Sequence, residues 1–224
     1  MLRCEMDKLE ATWSDKMPCC SKPCPPHGNM DLVFAVDSSI ETEENWEKIK
    51  ELLKDLITTF LVGPRESRIG IVTYNEKVGA DSEIFLNSYN STTQLASAVN
   101  TLRSHPGPTR GTRIGQLLDH VNRVSFLKSN GNRRRYRDIL VMLTTGAPLK
   151  EKLDPKTTAK LLRDNGIDVV TVGVGSYVDM KQLRGTAGFK KRLIEIPGGA
   201  ETIGESKFKD RIINIICGET CERR

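Results

Sequence analysis

Asp37, Ser39 and Glu41 stand in the stretch VFAVDSSIET, residues 33–42, where an apolar run breaks into carboxylates and hydroxyls. Two hydroxyl-bearing turns follow much later, Thr112 in GTRIG (111–115) and Thr145 in TTG (144–146). Carboxylate and hydroxyl oxygens such as those at 37–41 are the donors that hard cations such as Mg²⁺, Ca²⁺ or Mn²⁺ take. The same residues also have uses without an ion. Glu41 near a helix N-terminus is favoured by the helix dipole, or it attracts Arg110 or Arg113, while Asp37 accepts bonds from amides of its own loop. A bound divalent cation and no cation at all both remain open at this level.

A second candidate is RRRYR at 133–137, which sets Arg133, Arg134, Arg135 and Arg137 just before an apolar run. Planar guanidinium forks match sulfate and carboxylate groups; the plainer reading is a solvated loop. FKKR at 189–192 is a further basic run. The net charge of +5 favours acidic partners without requiring them. Asn90 opens NST, a glycosylation sequon that is usable only in a secreted chain. His27, His105 and His120 are widely separated, and no nucleophile elbow or phosphate-binding glycine loop is present. An enzyme is not expected.

All six cysteines lie near the ends: Cys4, Cys19, Cys20 and Cys24 before the first apolar run, Cys217 and Cys221 after the last. Cysteines gathered at both ends of a domain suggest disulfides and an extracellular, secreted protein, which disfavours nucleic acid as a partner. Cys19, Cys20, Cys24 and His27 are also zinc-ligand types, but adjacent cysteines suit a tetrahedral site poorly. No apolar run approaches the roughly 20 residues of a membrane span. The opening MLRCEMDKLE is charged and lacks an apolar centre, so no secretion signal is expected there.

The elements that must position these groups alternate. DLVFAV, RIGIVTY, DILVMLTT and IDVVTVGVG read as strands buried on both faces, EIFLNSY as a shorter polar one and RLIEI as an edge strand. Between them, ENWEKIKELLKDLITTF, TTQLASAVNTLRS, IGQLLDHVNRVSFL, DPKTTAKLLRDNG, a short stretch near 179–185 and SKFKDRIINIIC read as helices. The pattern predicts an α/β fold: a doubly wound, mostly parallel, Rossmann-like sheet with helices on both faces and one antiparallel edge strand. Residues 1–28 read as a Cys/Pro-rich tail, 29–217 as the domain and 218–224 as a second tail. In such sheets ligands bind beyond the carboxyl ends of the strands, where the loops holding Asp37, Thr112 and Thr145 all fall.

With DLVFAVDSS, RIGIVTYNEKV, GTRIGQLLDHV, ILVMLTTG and DVVTVGVG in this order and spacing, the sequence resembles the von Willebrand factor type A domain. The likeness covers about residues 30–217, and its matrix branch includes matrilins, type VI collagen and byssal thread matrix proteins. The resemblance implies a non-enzymatic adhesion or matrix function and a metal-ion-dependent adhesion site. Its D-x-S-x-S, loop Thr and T-D-G Asp fall on Asp37, Ser39, Glu41, Thr112 and Thr145. Glu41 thus replaces a Ser and Thr145 an Asp, which keeps the number of carboxylates but moves one. Implied partners are collagen or another matrix component; the alternative is metal-independent binding of anionic polysaccharide or matrix protein through the Arg-rich run.

Overall fold

Four of the apolar runs become the centre of one sheet because helices cover both of its faces. The computed structural model describes residues 24–104, 107, 110–199 and 202–218, so Cys4, Cys19, Cys20 and Cys221 lie outside the described residues, as does most of the expected N-terminal tail. The strands are β1 (Met30–Asp37), β2 (Arg68–Tyr74), β3 (Arg137–Thr144), β4 (Ile167–Val174) and β5 (Leu193–Ile196). They lie in the order β2-β1-β3-β4-β5 and every neighbouring pair is parallel. The helices are α1 (Trp46–Thr58), α2 (Thr92–Val99), α3 (Ile114–His120), α4 (Pro155–Asp164), α5 (Met180–Ala187) and α6 (Ser206–Cys217).

Successive residues of a strand point to opposite faces, and β1 shows the division. Leu32, Phe34 and Val36 pack into one core layer with Ile49, Leu53 and Leu56 of α1 and Ile212 and Ile216 of α6. Val33 and Ala35 face the other layer, with Leu117 and Leu118 of α3, Leu162 of α4 and Leu183 of α5. Because both layers are closed, β1 is buried along its whole length, whereas edge strand β5 exposes Glu195 between buried Ile194 and Ile196. Among the described residues no helix is long and apolar enough to cross a membrane.

The expected antiparallel edge strand does not form among the described residues. EIFLNSY contributes one isolated antiparallel bridge, Ile71 with Ile84, whose two amide bonds are 2.8 Å each. The approach is so close that a Cβ on Gly70 would sit 2.9 Å from the Ile84 carbonyl. The chain then turns, with Ser88 bonded to Phe85 through both its amide and its hydroxyl, before a second pair can form. Helix α3 also differs from a uniform helix, continuing as a π-helical turn over Val121–Ser125.

Cys24 and Cys217, 193 residues apart, form a disulfide. Leu61 N donates to Pro26 O and the Ser67 hydroxyl to Gly28 O, so the last residues before β1 are also held by hydrogen bonds.

Candidate functional site

The strand order reverses between β2-β1 and β1-β3, and in open parallel sheets that reversal opens a crevice at the strands' carboxyl ends. Asp37 ends β1 there, and Thr144 ends β3. The first loop is fixed by Ser38, whose amide donates to Tyr74 O at 2.7 Å and whose hydroxyl donates to the same oxygen. The Thr42 hydroxyl donates to Ser39 O at 2.7 Å and closes the start of a 3-10 turn over Ile40–Asn45.

Asp37 is fully buried. Its Oδ1 accepts from Ser39 N at 2.8 Å; its Oδ2 accepts from Thr145 N at 2.8 Å, Gly146 N at 3.0 Å and the Thr145 hydroxyl at 3.1 Å. Burial raises its pKa, opposed by the bonds from Ser39, Thr145 and Gly146. The carboxylate therefore ties the β1 and β3 loops together.

Two neighbouring hydroxyls have no such partner. Ser39 Oγ and Thr112 Oγ1 are both buried without a hydrogen bond, although Ser39 Oγ lies near enough to Asp37 to favour its ionised form. Both residues flank Gly146, where a Cβ would stand 3.3 Å from Ser39 Oγ and 3.4 Å from the Thr112 methyl, Cγ2. Thr112 is held there by a two-bond zipper, Thr112 N to Ala147 O and Leu149 N to Thr112 O, each 2.9 Å. Gly111 precedes it at φ +109°, and a Cβ there would stand 2.4 Å from Ala147 O, so only glycine fits.

A buried, unpaired hydroxyl costs on the order of 1–3 kcal/mol, and two of them on residues around a buried carboxylate are of the oxygen type a hard cation takes. Ser39, Thr112, Asp37 and Thr145 are thus brought together. The Glu41 backbone lies in the 3-10 turn, and its side chain is outside the described part of the structure. Among the described residues no group of three His, Cys, Asp or Glu stands together as a metal cluster. Beside Thr145 opens a groove of about 840 Å³ lined by Ile40, Glu43, Glu44, Arg110 and Tyr177, among others.

Glu151 was not evident from the sequence. Its carboxylate accepts from Gly115 N and Gln116 N, both at 2.9 Å, and so caps the N-terminus of α3 next to Thr112. Burial raises its pKa against those two bonds. No local signal marks it, because its partners are 36 and 35 residues away.

The arginine run divides. Arg133 is turned onto buried Asp31, donating through its amide at 2.6 Å and its Nε at 2.8 Å, and stacks on Tyr136. Arg137 donates to Asp168 at 3.0 Å and to Ile216 O at 3.1 Å. Arg134 and Arg135 are exposed. Asn90 is exposed in the loop before α2. Cys24, being in a disulfide, is not available as a zinc thiolate. His120 Nε2 lies 2.7 Å from Glu83, which also accepts from buried Ser125; the carboxylate stands between the other two, so His120 does not activate Ser125.

The chain is thus an α/β domain with an all-parallel sheet and hydroxyl-rich loops gathered at its switch point. The von Willebrand factor type A domain profile matches residues 31–196, and the chain belongs to that family. The chain is 32% identical over 177 residues to the collagen alpha-1(XX) chain of Mus musculus, covering 77% of this chain and 13% of that one. With matrilin-1 of Homo sapiens it shares 34% over 158 residues, 69% of this chain and 30% of that protein. These relatives are extracellular-matrix proteins, and the chain spans less than a third of their length. In fold it is similar to proximal thread matrix protein 1 from the mussel byssus, whose structure has a zinc-occupied adhesion motif. There the TM-score is 0.77 at 20% identity, over 86% of this chain and 49% of that one.

Proposed function

We propose that this chain is a secreted, non-enzymatic adhesion domain of the extracellular matrix that binds collagen or another fibrous matrix component at the carboxyl end of its sheet. In this reading residues 29–217 are the binding domain and the two tails flank it. The observation that carries the reading is the pair of buried hydroxyls without a hydrogen bond, Ser39 Oγ and Thr112 Oγ1, on two residues that flank Gly146 beside Asp37. Ser39 and Thr112 would hold a divalent cation, Mg²⁺, Ca²⁺ or Mn²⁺, with Asp37 and Glu41 supplying negative charge. Such an ion supplies Lewis acidity toward an acidic group of the partner. The chain's own part is to hold the hydroxyls rigidly, through the Asp37 tie and the Thr112 zipper, and to offer the groove beside Thr145 for the partner's flanking residues.

Binding to immobilised fibrillar collagen, measured with Mg²⁺ and Mn²⁺ and again with EDTA, tests this. Loss of binding on chelation, and in the Ser39→Ala variant with metal present, is the expected result. Binding indifferent to EDTA overturns the cation site, and no binding under either condition overturns collagen as the partner.

A further inference from the structure

Positive charge gathers on a face of the molecule far in sequence from the Arg133–Arg137 run. On α4, Lys156, Lys160 and Arg163 are spaced four and three residues apart and so share one stripe. On α5, Lys181 and Gly185 share another. The two stripes meet: the Lys156 stem lies about 3.5 Å from where a Cβ on Gly185 would be. Further along, the Arg163 guanidinium packs against Gly188 and donates to Thr186 O. Arg184 is exposed beside this seam, and Lys190 is exposed in the turn that follows α5. Burial and the adjacent Arg192 hold the Arg163 guanidinium below its ordinary pKa, in keeping with crowded positive charge.

The nearby carboxylates offset this face only in part. Asp164 pairs with Lys160 at 2.6 Å, and Asp154 lies close enough to Lys156 for its charge to be felt. Asp154 and Asp179 are helix N-caps, accepting from Thr157 and from the Lys181 and Gln182 amides. Among the described residues Lys156, Arg163, Lys181, Arg184 and Lys190 form no ion pair. Arg133 and Arg137, by contrast, are already paired with Asp31 and Asp168.

We infer that the α4–α5 seam binds a sulfated linear polysaccharide, with Lys156, Lys181 and Arg184 as its principal contacts. Lysines on long flexible stems are depleted in the centres of protein–protein interfaces, which turns the reading away from an acidic protein. Nucleic acid held without a groove-reading element is usually stacked on aromatic rings; here the exposed Phe189 ring already lies against Arg192, 5.3 Å from its centroid. A flexible polyanion needs only spaced cations on an open surface, and its hold weakens steeply with salt.

The test is retention of the full chain on immobilised heparin in a NaCl gradient, run in EDTA so that the result is independent of the proposed cation site. The wild-type chain is expected to stay bound beyond about 0.15 M NaCl, near physiological ionic strength. A Lys156→Gln/Lys181→Gln/Arg184→Gln variant should elute at or below that point with an unchanged melting curve. An Arg134→Gln/Arg135→Gln variant should elute with wild type, and completely desulfated heparin should retain neither. The inference is overturned if wild type runs through, if the triple variant elutes with it, or if the Arg134/Arg135 change has the larger effect. Equal retention on polyglutamate or on DNA overturns the assignment to a sulfated polysaccharide.

Discussion

In the proposed cation site the hydroxyls, more than the buried carboxylate, are the groups left to bind. Oδ2 of Asp37 already accepts from both Thr145 and Gly146, whereas Ser39 Oγ and Thr112 Oγ1 have no hydrogen bond. Ser39→Ala is therefore expected to weaken Mn²⁺ binding at least about tenfold, or roughly 1.4 kcal/mol, in isothermal titration calorimetry. Because Ser39 Oγ also favours the ionised form of Asp37, a modest fall in thermal stability is expected alongside; undiminished Mn²⁺ affinity would exclude Ser39 as a ligand. A different residue governs the pH response at the other end of the sheet. Asp138 pairs in register with Asp31, and burial above all pushes its pKa from 3.8 to about 6. A raised folded-state pKa means that ionisation opposes folding. The resulting penalty is absent below about pH 4, grows as pH rises toward 6 and is complete above it. Asp138→Asn should thus be the more stable form at pH 7.5, by roughly 1–2 kcal/mol once solvent screening of this partly exposed carboxylate is allowed for. The advantage should shrink toward zero by about pH 4, as read from urea unfolding at both pH values.

At the scale of elements, α3 is held in place by a carboxylate borrowed from another loop. Glu151 supplies both capping bonds at its N-terminus, and the Thr112 zipper joins the same two loops. Glu151→Ala should cost about 1–2 kcal/mol, as lost caps do, and faster amide exchange at Gly115 and Gln116 should accompany it; unaltered exchange there would mean that the helix end is held by something else. This device was invisible in the sequence, because a cap normally sits beside its helix and Glu151 does not. The strands were legible for the opposite reason: a sheet covered on both faces demands unbroken apolar runs, and β1, β3 and β4 show them. EIFLNSY looked like a strand because its residues favour one, but the turn at Phe85–Ser88 ends the pairing after Ile84. The gathering of Asp37, Ser39, Thr112 and Thr145 could be read from strand ends and motif spacing. The inward turn of Arg133 and Arg137 could not, since their partners Asp31 and Asp168 are fixed only by strand register.

For the whole molecule, the disulfide determines how the domain carries load. Cys24 lies ahead of β1 and Cys217 ends α6, with Cα atoms 5.6 Å apart. Tension applied through the two chain ends therefore enters and leaves at nearly one point, and the covalent bridge bears it before any strand or helix can. In a chain-entropy account, closing so long a loop also stabilises the fold by on the order of 5 kcal/mol. The two effects separate in a single-molecule pulling experiment with handles on the terminal tails. The oxidised domain should show no unfolding step that releases residues 24–217. After reduction, or in a Cys24→Ser/Cys217→Ser variant, the same pull should add a contour length of about 650 Å, from roughly 3.4 Å per extended residue. A full-length step in the oxidised protein would mean that the bridge does not enclose the domain under load. Its absence in both forms would mean that the sheet outlasts the applied force, with the covalent bond adding only stability. For a domain whose relatives are collagen and matrilin chains, the first outcome lets the proposed binding face stay folded under tension.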